Sequence, residues 1–260
     1  MKKIYICLFC FCIFLSILYG LSFSQGGLQL PVLSSPEEYG DIFIDRVSTK
    51  NKVTPVVFSH WIHRVKYTCR VCHDELEIAM KSSETEILCG KGEAKGERHC
   101  VKCHNGKESF AFAPKDAEGE NCKRCHNADS SPNRQKFFEL QGKLPRSKFG
   151  NEIDWGKALN DGLIKPKDSL SDKTRTIVHD KILTLKAEMS GISPAVFPHK
   201  THEQWLDCAN CHPEIFNIKK KTTKNLKMAN MLKGEACAIC HLRVAFPLND
   251  CKRCHPKMRG

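Results

Sequence analysis

Regular hydrophobic periodicity occupies little of this chain, and most of the sequence predicts irregular coil joined by short elements. Residues 41–45 place a short apolar run of Ile, Phe and Ile between two aspartates, and residues 53–58 have the composition of an extended strand. Asn51 can occupy a turn between these two segments. The pattern therefore predicts a short hairpin in this part of the chain.

The N-terminal segment has the pattern of an export signal. A basic start over residues 1–3 precedes an apolar run over residues 4–21, and Ser22 and Ser24 place small side chains at the positions of a cleavage site. We therefore predict a signal peptide over residues 1–24, an extension over residues 25–39, and a periplasmic or otherwise exported mature protein. The apolar run approaches the length that spans a bilayer, so the alternative to a cleaved signal is an uncleaved N-terminal anchor. That anchor would be the only predicted contact with a membrane.

Composition draws attention to cysteine and histidine. The chain of 260 residues contains 16 cysteines and 12 histidines. Its formal net charge of +12 would suit a nucleic-acid partner, but the lysines and arginines are spread along the chain and no nucleic-acid-binding motif accompanies them. We therefore expect no nucleic-acid partner.

Six copies of the motif Cys-x-x-Cys-His account for most of these residues. Two thiols three positions apart can add to the two vinyl groups of one haem, and the adjacent imidazole then reaches the iron. Zinc knuckles and dithiol redox centres also use Cys-x-x-Cys, but neither requires the histidine. The sequence thus predicts six covalently bound haem c groups. The predicted attachment residues are Cys69, Cys72, Cys100, Cys103, Cys122, Cys125, Cys208, Cys211, Cys237, Cys240, Cys251 and Cys254, and the predicted proximal ligands are His73, His104, His126, His212, His241 and His255.

Two further pairs of histidines stand in register with the motifs. His60 and His63 precede the first motif, and His199 and His202 precede the fourth. In both pairs the second histidine lies six residues before the next motif cysteine. The i, i+3 separation places both imidazoles on one helical turn, where they can serve two different haems. These four histidines are the predicted distal iron ligands.

The repeated spacing reveals an internal duplication. One unit of three motifs is predicted over residues 40–126 and a second over residues 194–260. The linker over residues 127–193 contains no motif, but Trp155, Leu159 and Leu163 recur at helical spacing within it. They predict a short amphipathic helix over residues 152–163 that packs against one or both units.

Each unit resembles a triheme cytochrome c7 domain, a relative of the tetrahaem cytochromes c3. The shared features are Phe-x-His-x-x-His at Phe58 and Phe197, the three motifs, and the run Cys-His-Asn-Gly-Lys over residues 103–107. The resemblance implies a multihaem cytochrome c3/c7-like fold, mostly irregular coil with short helices and a small N-terminal β-hairpin per unit. With so few residues per haem, the haems would form the core. The resemblance also implies the ligand pairs His60 with His73, His63 with His104, His199 with His212, and His202 with His241.

The pattern singles out no sixth ligand for the third haem of each unit. In unit two, Met228 is the first choice and Met231 the second. In unit one, His99, Cys89 (the one cysteine left after the signal and the motifs) and Met80 remain open. Six histidines outside the motifs would also suffice for six irons, which makes His179 of the linker an alternative to methionine.

These features predict an electron-transfer protein without catalytic residues. Closely packed haems would relay electrons outside the cytoplasm to or from other cytochromes or redox proteins, such as a membrane quinol-linked complex or an extracellular acceptor. Two alternatives stay open. One is a multihaem reductase, which requires an open iron position at the haem of His126; the other is a filament subunit whose haems stack from chain to chain.

Overall fold

Each of the two histidine pairs lies on a helix that continues directly from a two-stranded hairpin. In the first unit, strand β1 (Asp41–Ile44) pairs antiparallel with strand β2 (Val56–Ser59), with Ile42 opposite Phe58. Helix α1 (Arg46–Lys50) lies between the strands. The predicted hairpin is confirmed, whereas α1 was not predicted, because five residues are too few to show a helical period.

The second unit repeats this arrangement. Strand β3 (Ile182–Leu185) pairs antiparallel with strand β4 (Ala195–Pro198), and Leu183 lies opposite Phe197. Strand β3 therefore lies ahead of residue 194, within the segment that the motif spacing assigns to the linker. The polar and apolar residues of this strand alternate too weakly for its position to be predicted from the sequence.

The computed structural model describes residues 29–82, 84–88, 99–111, 120–127, 133–171, 179–189, 191–219 and 226–259. The predicted export signal and Cys89 lie outside these residues. Residues 31–260 form one compact unit. Within the described ranges, no helix is both long and apolar enough to cross a membrane.

The remaining helices are short and mostly carry motifs or histidines. Helix α2 (His60–Arg64) follows β2, and helix α6 (His199–Glu203) follows β4. Motif residues lie in α3 (Glu120–Lys123), α8 (Ala238–His241), α9 (Cys251–Cys254), a π-helical turn (Val71–Glu75) and 3₁₀ turns (His99–Lys102 and Cys208–Asn210). The others are α4 (Arg134–Gln141), α5 (Trp155–Asn160) and α7 (Met228–Met231).

The side-chain core of the described residues is built by the linker around one ligand helix. Trp61 of α2 packs with linker residues that include the fully buried Phe137 and Ala158, and Trp205 beside α6 packs against the same cluster. Little side-chain core was expected, because the haems were expected to supply the buried apolar surface. The small core that the structure does contain lies on the side of α2 away from its histidines.

The linker helix is shorter than predicted. Asp154 caps α5 by accepting a hydrogen bond from the Lys157 backbone N–H at 3.0 Å, and the helix ends before Gly162, whose φ is +70°. Leu163, which was predicted to lie on its apolar face, is 54% exposed. Helix α4 was not predicted at all, although Phe137 on it is fully buried.

Replacing Phe137 should destabilise the protein far more than replacing its neighbour. Phe137 is 0% exposed and Phe138 is 43% exposed. We expect Phe137→Ala to lower the free energy of unfolding by about 3–5 kcal/mol, and Phe138→Ala to lower it by about 1 kcal/mol or less. Denaturant unfolding of the two holoprotein variants tests this, and equal losses would contradict the placement of the core.

Candidate haem-binding sites

The motifs place their thiols and imidazoles on single helical turns. In five of the six motifs, the histidine backbone N–H donates to the carbonyl of the first cysteine, at 2.7–3.0 Å. A helical turn puts residues i and i+3 on one side, so the two thiols of a motif face the same way. None of the twelve motif thiols forms a disulfide.

Several of the motif thiols are poor nucleophiles in this setting. Burial, with a smaller contribution from neighbouring thiols, raises the pKa of Cys72 and of Cys240 to about 12. Burial likewise raises the pKa of Cys211 and of Cys237 to about 11. Dithiol redox centres need a thiolate whose pKa is lowered. These four thiols therefore do not have the electrostatics of a catalytic dithiol.

Nearly all of the predicted ligand histidines are oriented by a backbone carbonyl. In nine of them, Nδ1 donates to a carbonyl oxygen, which places the ring proton on Nδ1 rather than on Nε2. A metal-bound histidine usually donates its other ring N–H in this way, and the bond fixes both tautomer and ring orientation. The bonds are His60 to Gly40 at 2.7 Å, His63 to Ser59 at 3.2 Å, His73 to Ile78 at 2.7 Å, His126 to Thr54 at 2.6 Å, His199 to Lys181 at 2.8 Å, His202 to Pro198 at 2.9 Å, His212 to Phe216 at 2.6 Å, His241 to Phe246 at 2.8 Å and His255 to Ser193 at 2.6 Å.

The acceptors occupy equivalent places in the two units. The first histidine of each pair donates to the residue immediately before the first strand, Gly40 or Lys181. The third-motif histidine donates to the residue two positions before the second strand, which is Thr54 in unit one and Ser193 in unit two. Each hairpin thus orients the first and the last predicted iron ligand of its unit. Sequence reasoning did not identify these acceptors, because a carbonyl leaves no trace in residue type.

Three of the four predicted histidine pairs face each other at nearly the same separation. A metal–nitrogen bond to histidine is about 2.0 Å and the ring centre lies about 1.15 Å behind Nε2, so one iron between two imidazoles separates their centres by about 6.3 Å. The observed separations are 6.4 Å for His60 with His73, 6.3 Å for His63 with His104, and 6.3 Å for His202 with His241. These pairs therefore have room for one iron each.

Three partly buried members of these pairs are neutral, as iron ligands must be. Burial lowers the pKa of His60 to about 3, and that of His63 and of His241 to about 4. His104 differs from the others, because its Nδ1 is buried without a hydrogen bond, although the Phe110 carbonyl lies nearby.

The fourth predicted pair is not brought together in the same way. Among the ring contacts of the described residues, His199 meets Phe197 and His179, with 4.8 Å between the two imidazole centres, and His212 meets Phe216. A separation of 4.8 Å leaves no room for an iron between His179 and His199. His179 is exposed, and its backbone N–H donates to Glu203 at 3.1 Å.

The candidates for the third haem of each unit lie in different surroundings. Met228 and Met231 are partly buried at the two ends of α7. His99 is buried with its Nδ1 unpaired, and its φ of +51° is uncommon for a residue with a side chain. Met80 lines a cavity beside Cys72 of the first motif.

Phenylalanines hold the ligand rings in both units. Phe58 stacks on His63 at 4.4 Å, and Phe197 stacks on His202 at 4.2 Å. Each of them also meets the first histidine of its pair edge-on, at 4.9 Å. This explains the phenylalanine of the Phe-x-His-x-x-His pattern, since one ring supports both imidazoles.

A second phenylalanine links the second and third motifs of each unit. Phe110 lies 4.3 Å from His104, and Phe246 lies 4.3 Å from His241, both at an interplanar angle of 59°. The arginine of the third motif lies over the same ring: Arg124 lies 3.9 Å from the Phe110 centre, and Arg253 lies 5.2 Å from that of Phe246. Sequence reasoning missed both phenylalanines, because they follow their motif histidines at different spacings, six residues for Phe110 and five for Phe246.

A cavity of about 860 Å³ is lined by residues of both units. The described residues hold no group of three or more His, Cys, Asp or Glu side chains arranged to bind one metal ion. The cavity instead presents thiols and imidazoles along apolar walls, which suits a flat macrocycle better than a bare ion. Its lining includes Cys69, Cys72 and His73 from the first motif and Cys237, Cys240 and His241 from the fifth.

Direct bonds hold the units together at this cavity. The Tyr39 hydroxyl donates to the Ala245 carbonyl at 2.8 Å. Arg70 of the first motif pairs with Asp207, which precedes the fourth motif, at 3.3 Å, and its backbone N–H donates to the Trp205 carbonyl at 3.0 Å. The first motif therefore faces unit two.

Comparison with known proteins agrees with this geometry. The sequence model of the family described as "Cytochrome c7 and related cytochrome c" matches residues 56–127 and 195–256. The chain belongs to the cytochrome c7 family. Both matched segments contain the second strand of a hairpin, a histidine pair and three motifs, so the chain carries two cytochrome c7-like regions. Haem c is the cofactor of such motifs, and electron transfer is the general role of this class of multihaem cytochrome.

Solved structures with significant similarity are multihaem cytochromes. The C-terminal hexaheme fragment of GSU1996 is 23% identical, with 83% of this chain and 96% of that chain covered and a TM-score of 0.26. The dodecaheme cytochrome c GSU1996 is 21% identical, with 85% and 75% covered and a TM-score of 0.28. The N-terminal hexaheme fragment of GSU1996 is 24% identical, with 84% and 99% covered and a TM-score of 0.25. No curated protein matches the chain.

Proposed function

We propose that the protein carries six covalently attached haems and relays electrons between redox partners outside the cytoplasm. The observation that carries this proposal is the set of three imidazole pairs at 6.3–6.4 Å, since a second strong ligand closes the iron to substrates and suits it to electron transfer. Bound haem supplies one-electron chemistry. The chain's own residues attach it, orient the ligands and exclude water.

The twelve motif cysteines are the proposed attachment points and the six motif histidines the proximal ligands. The proposed distal ligands are His60, His63 and His202 for the haems of His73, His104 and His241. His199 is proposed for the haem of His212, where its oriented Nδ1 supports the role. Met228 and His99 remain the proposals for the third haems, at His255 and His126.

We further propose an exported location, which the N-terminal basic and apolar pattern supports. The partners would then be other cytochromes or redox proteins, a membrane quinol-linked complex or an extracellular acceptor. Such partners dock through small, transient contacts.

The haem count is tested by mass spectrometry of protein matured with its export and cytochrome-assembly machinery. We expect a mass equal to that of the chain after signal removal plus six haems. A spectroscopic redox titration of the same protein should show six one-electron couples. The double variant Cys122→Ala, Cys125→Ala should lose one haem and one couple, because only the third motif is removed. Protein that matures without tetrapyrrole would refute the proposed function.

Replacing His202 by methionine tests the distal assignment. Histidine–methionine ligation raises a haem potential relative to two histidines. We expect His202→Met to move one couple upward by on the order of 0.1 V, within the range of about 0.8 V that axial ligands span. His179→Met is the matched control, because among the described residues no carbonyl accepts a hydrogen bond from its ring, and it should leave every couple unchanged. A shift in the control would instead support ligation by His179.

A further inference from the structure

Arg64 is a cation at the junction of the two units. It ends helix α2, directly after His63, and the equivalent position of unit two is Glu203. Its guanidinium donates from Nη2 to the Val244 carbonyl of unit two at 2.9 Å. Two indole rings face it, Trp155 of the linker at 5.2 Å and Trp205 of unit two at 5.8 Å. The side chain is thus held by three parts of the chain at once.

No carboxylate of the described residues pairs with this guanidinium. Other partly buried arginines do have acidic partners: Arg70 pairs with three carboxylates, and Arg253 pairs with Asp154 at 2.8 Å. Arg64 instead lines the cavity shared by the units. Buried charges in proteins are paired, because an unpaired one loses its hydration without compensation. A counter-charge is therefore expected from within the cavity.

The surroundings of Arg64 belong to two haem sites rather than one. Its charge acts on the thiols of Cys69 in the first motif and Cys240 in the fifth. It also acts on His60 and His241, which are proposed ligands of two different irons, one in each unit. One cation thus lies within electrostatic reach of both haem sites that open into the cavity.

We propose that Arg64 is the counter-ion of a haem propionate in this cavity and that its charge favours the reduced state of the haems bound at the first and fifth motifs. This inference rests on the proposed function. Haem reduction adds one electron to the ferric iron and lowers the local positive charge by one. A fixed cation nearby therefore stabilises the reduced form, and a guanidinium is suited to bind a carboxylate with two parallel hydrogen bonds.

The test is a redox titration of the matured Arg64→Gln variant beside the wild type. Removing the charge should shift the oxidation equilibrium of each of the two haems by about tenfold toward the oxidised form. That shift lowers each reduction potential by about 59 mV for a one-electron couple. The potentials of the other four haems should stay unchanged. Arg146→Gln is the matched control. This substitution removes the same charge from a surface ion pair, in which the Arg146 side chain is 54% exposed and the Glu152 side chain is 37% exposed. It should change no reduction potential.

Two further results keep the proposal open to refutation. Arg64→Lys keeps the charge and should hold the two reduction potentials near the wild-type values, whereas a fall as large as that of Arg64→Gln would overturn the electrostatic role.

If Arg64→Gln does not mature, a structure of the wild-type holoprotein decides. A propionate within salt-bridge distance of Arg64 supports the proposal, and a guanidinium without one refutes it. A full set of haems with potentials that Arg64→Gln leaves unchanged would refute this inference alone, while absence of haem would refute the proposed function.

Discussion

An imidazole can offer Nε2 to iron only when the proton sits on Nδ1, and a ring that rotates freely seldom points its free nitrogen at the right place. The hydrogen bond from Nδ1 to a backbone carbonyl meets both requirements. It recurs at nine histidines here, and much of the irregular coil can be understood as a means of supplying those carbonyls. The hairpins, which bury little by themselves, place one carbonyl behind the first ligand of each unit and one behind the last.

The two units share this scheme but differ where they meet. The stacking of Phe58 and Phe197 on their histidines is nearly identical, as is the packing of Phe110 and Phe246. The position after the histidine pair, however, is Arg64 in one unit and Glu203 in the other. Arg64 reaches into unit two, whereas Glu203 accepts a bond from the end of the linker. The duplication has thus diverged at the residues that join the copies into one compact body.

The sequence was most informative where chemistry demands a fixed spacing. Thiols three positions apart, the following histidine and the i, i+3 histidine pair are all local, so the motifs and the candidate ligand histidines could be located before the structure was known. Which histidines pair across one haem came only from the resemblance to cytochrome c7 domains. The hairpin of unit one was visible because a short apolar run over residues 42–44 is followed by Asn51, which can occupy a turn, and by a strand-like segment over residues 53–58. Strand β3 and helix α4 gave no comparable pattern, since their burial depends on partners distant in sequence.

The contacts between the units were beyond sequence reasoning for the same reason. Arg64 meets Val244 across 180 residues, and nothing local to either residue indicates the other. The sixth ligands of the third haems also depend on such long-range placement. The proximal histidines of these haems, His126 and His255, have rings that are oriented by carbonyls two residues before the second strands.

Electron paramagnetic resonance of the fully oxidised holoprotein tests the central claim most directly. The facing pairs differ in ring angle, at 7° for His60 with His73 but 62° for His63 with His104 and 67° for His202 with His241. Crossed imidazoles produce a larger maximum g value than parallel ones in low-spin ferric haem. The account predicts low-spin signals from both parallel and crossed imidazole pairs. Replacing His202 should remove part of the crossed-pair signal, because it breaks one of the two crossed pairs. Oxidised protein in which these haems are high-spin would contradict it.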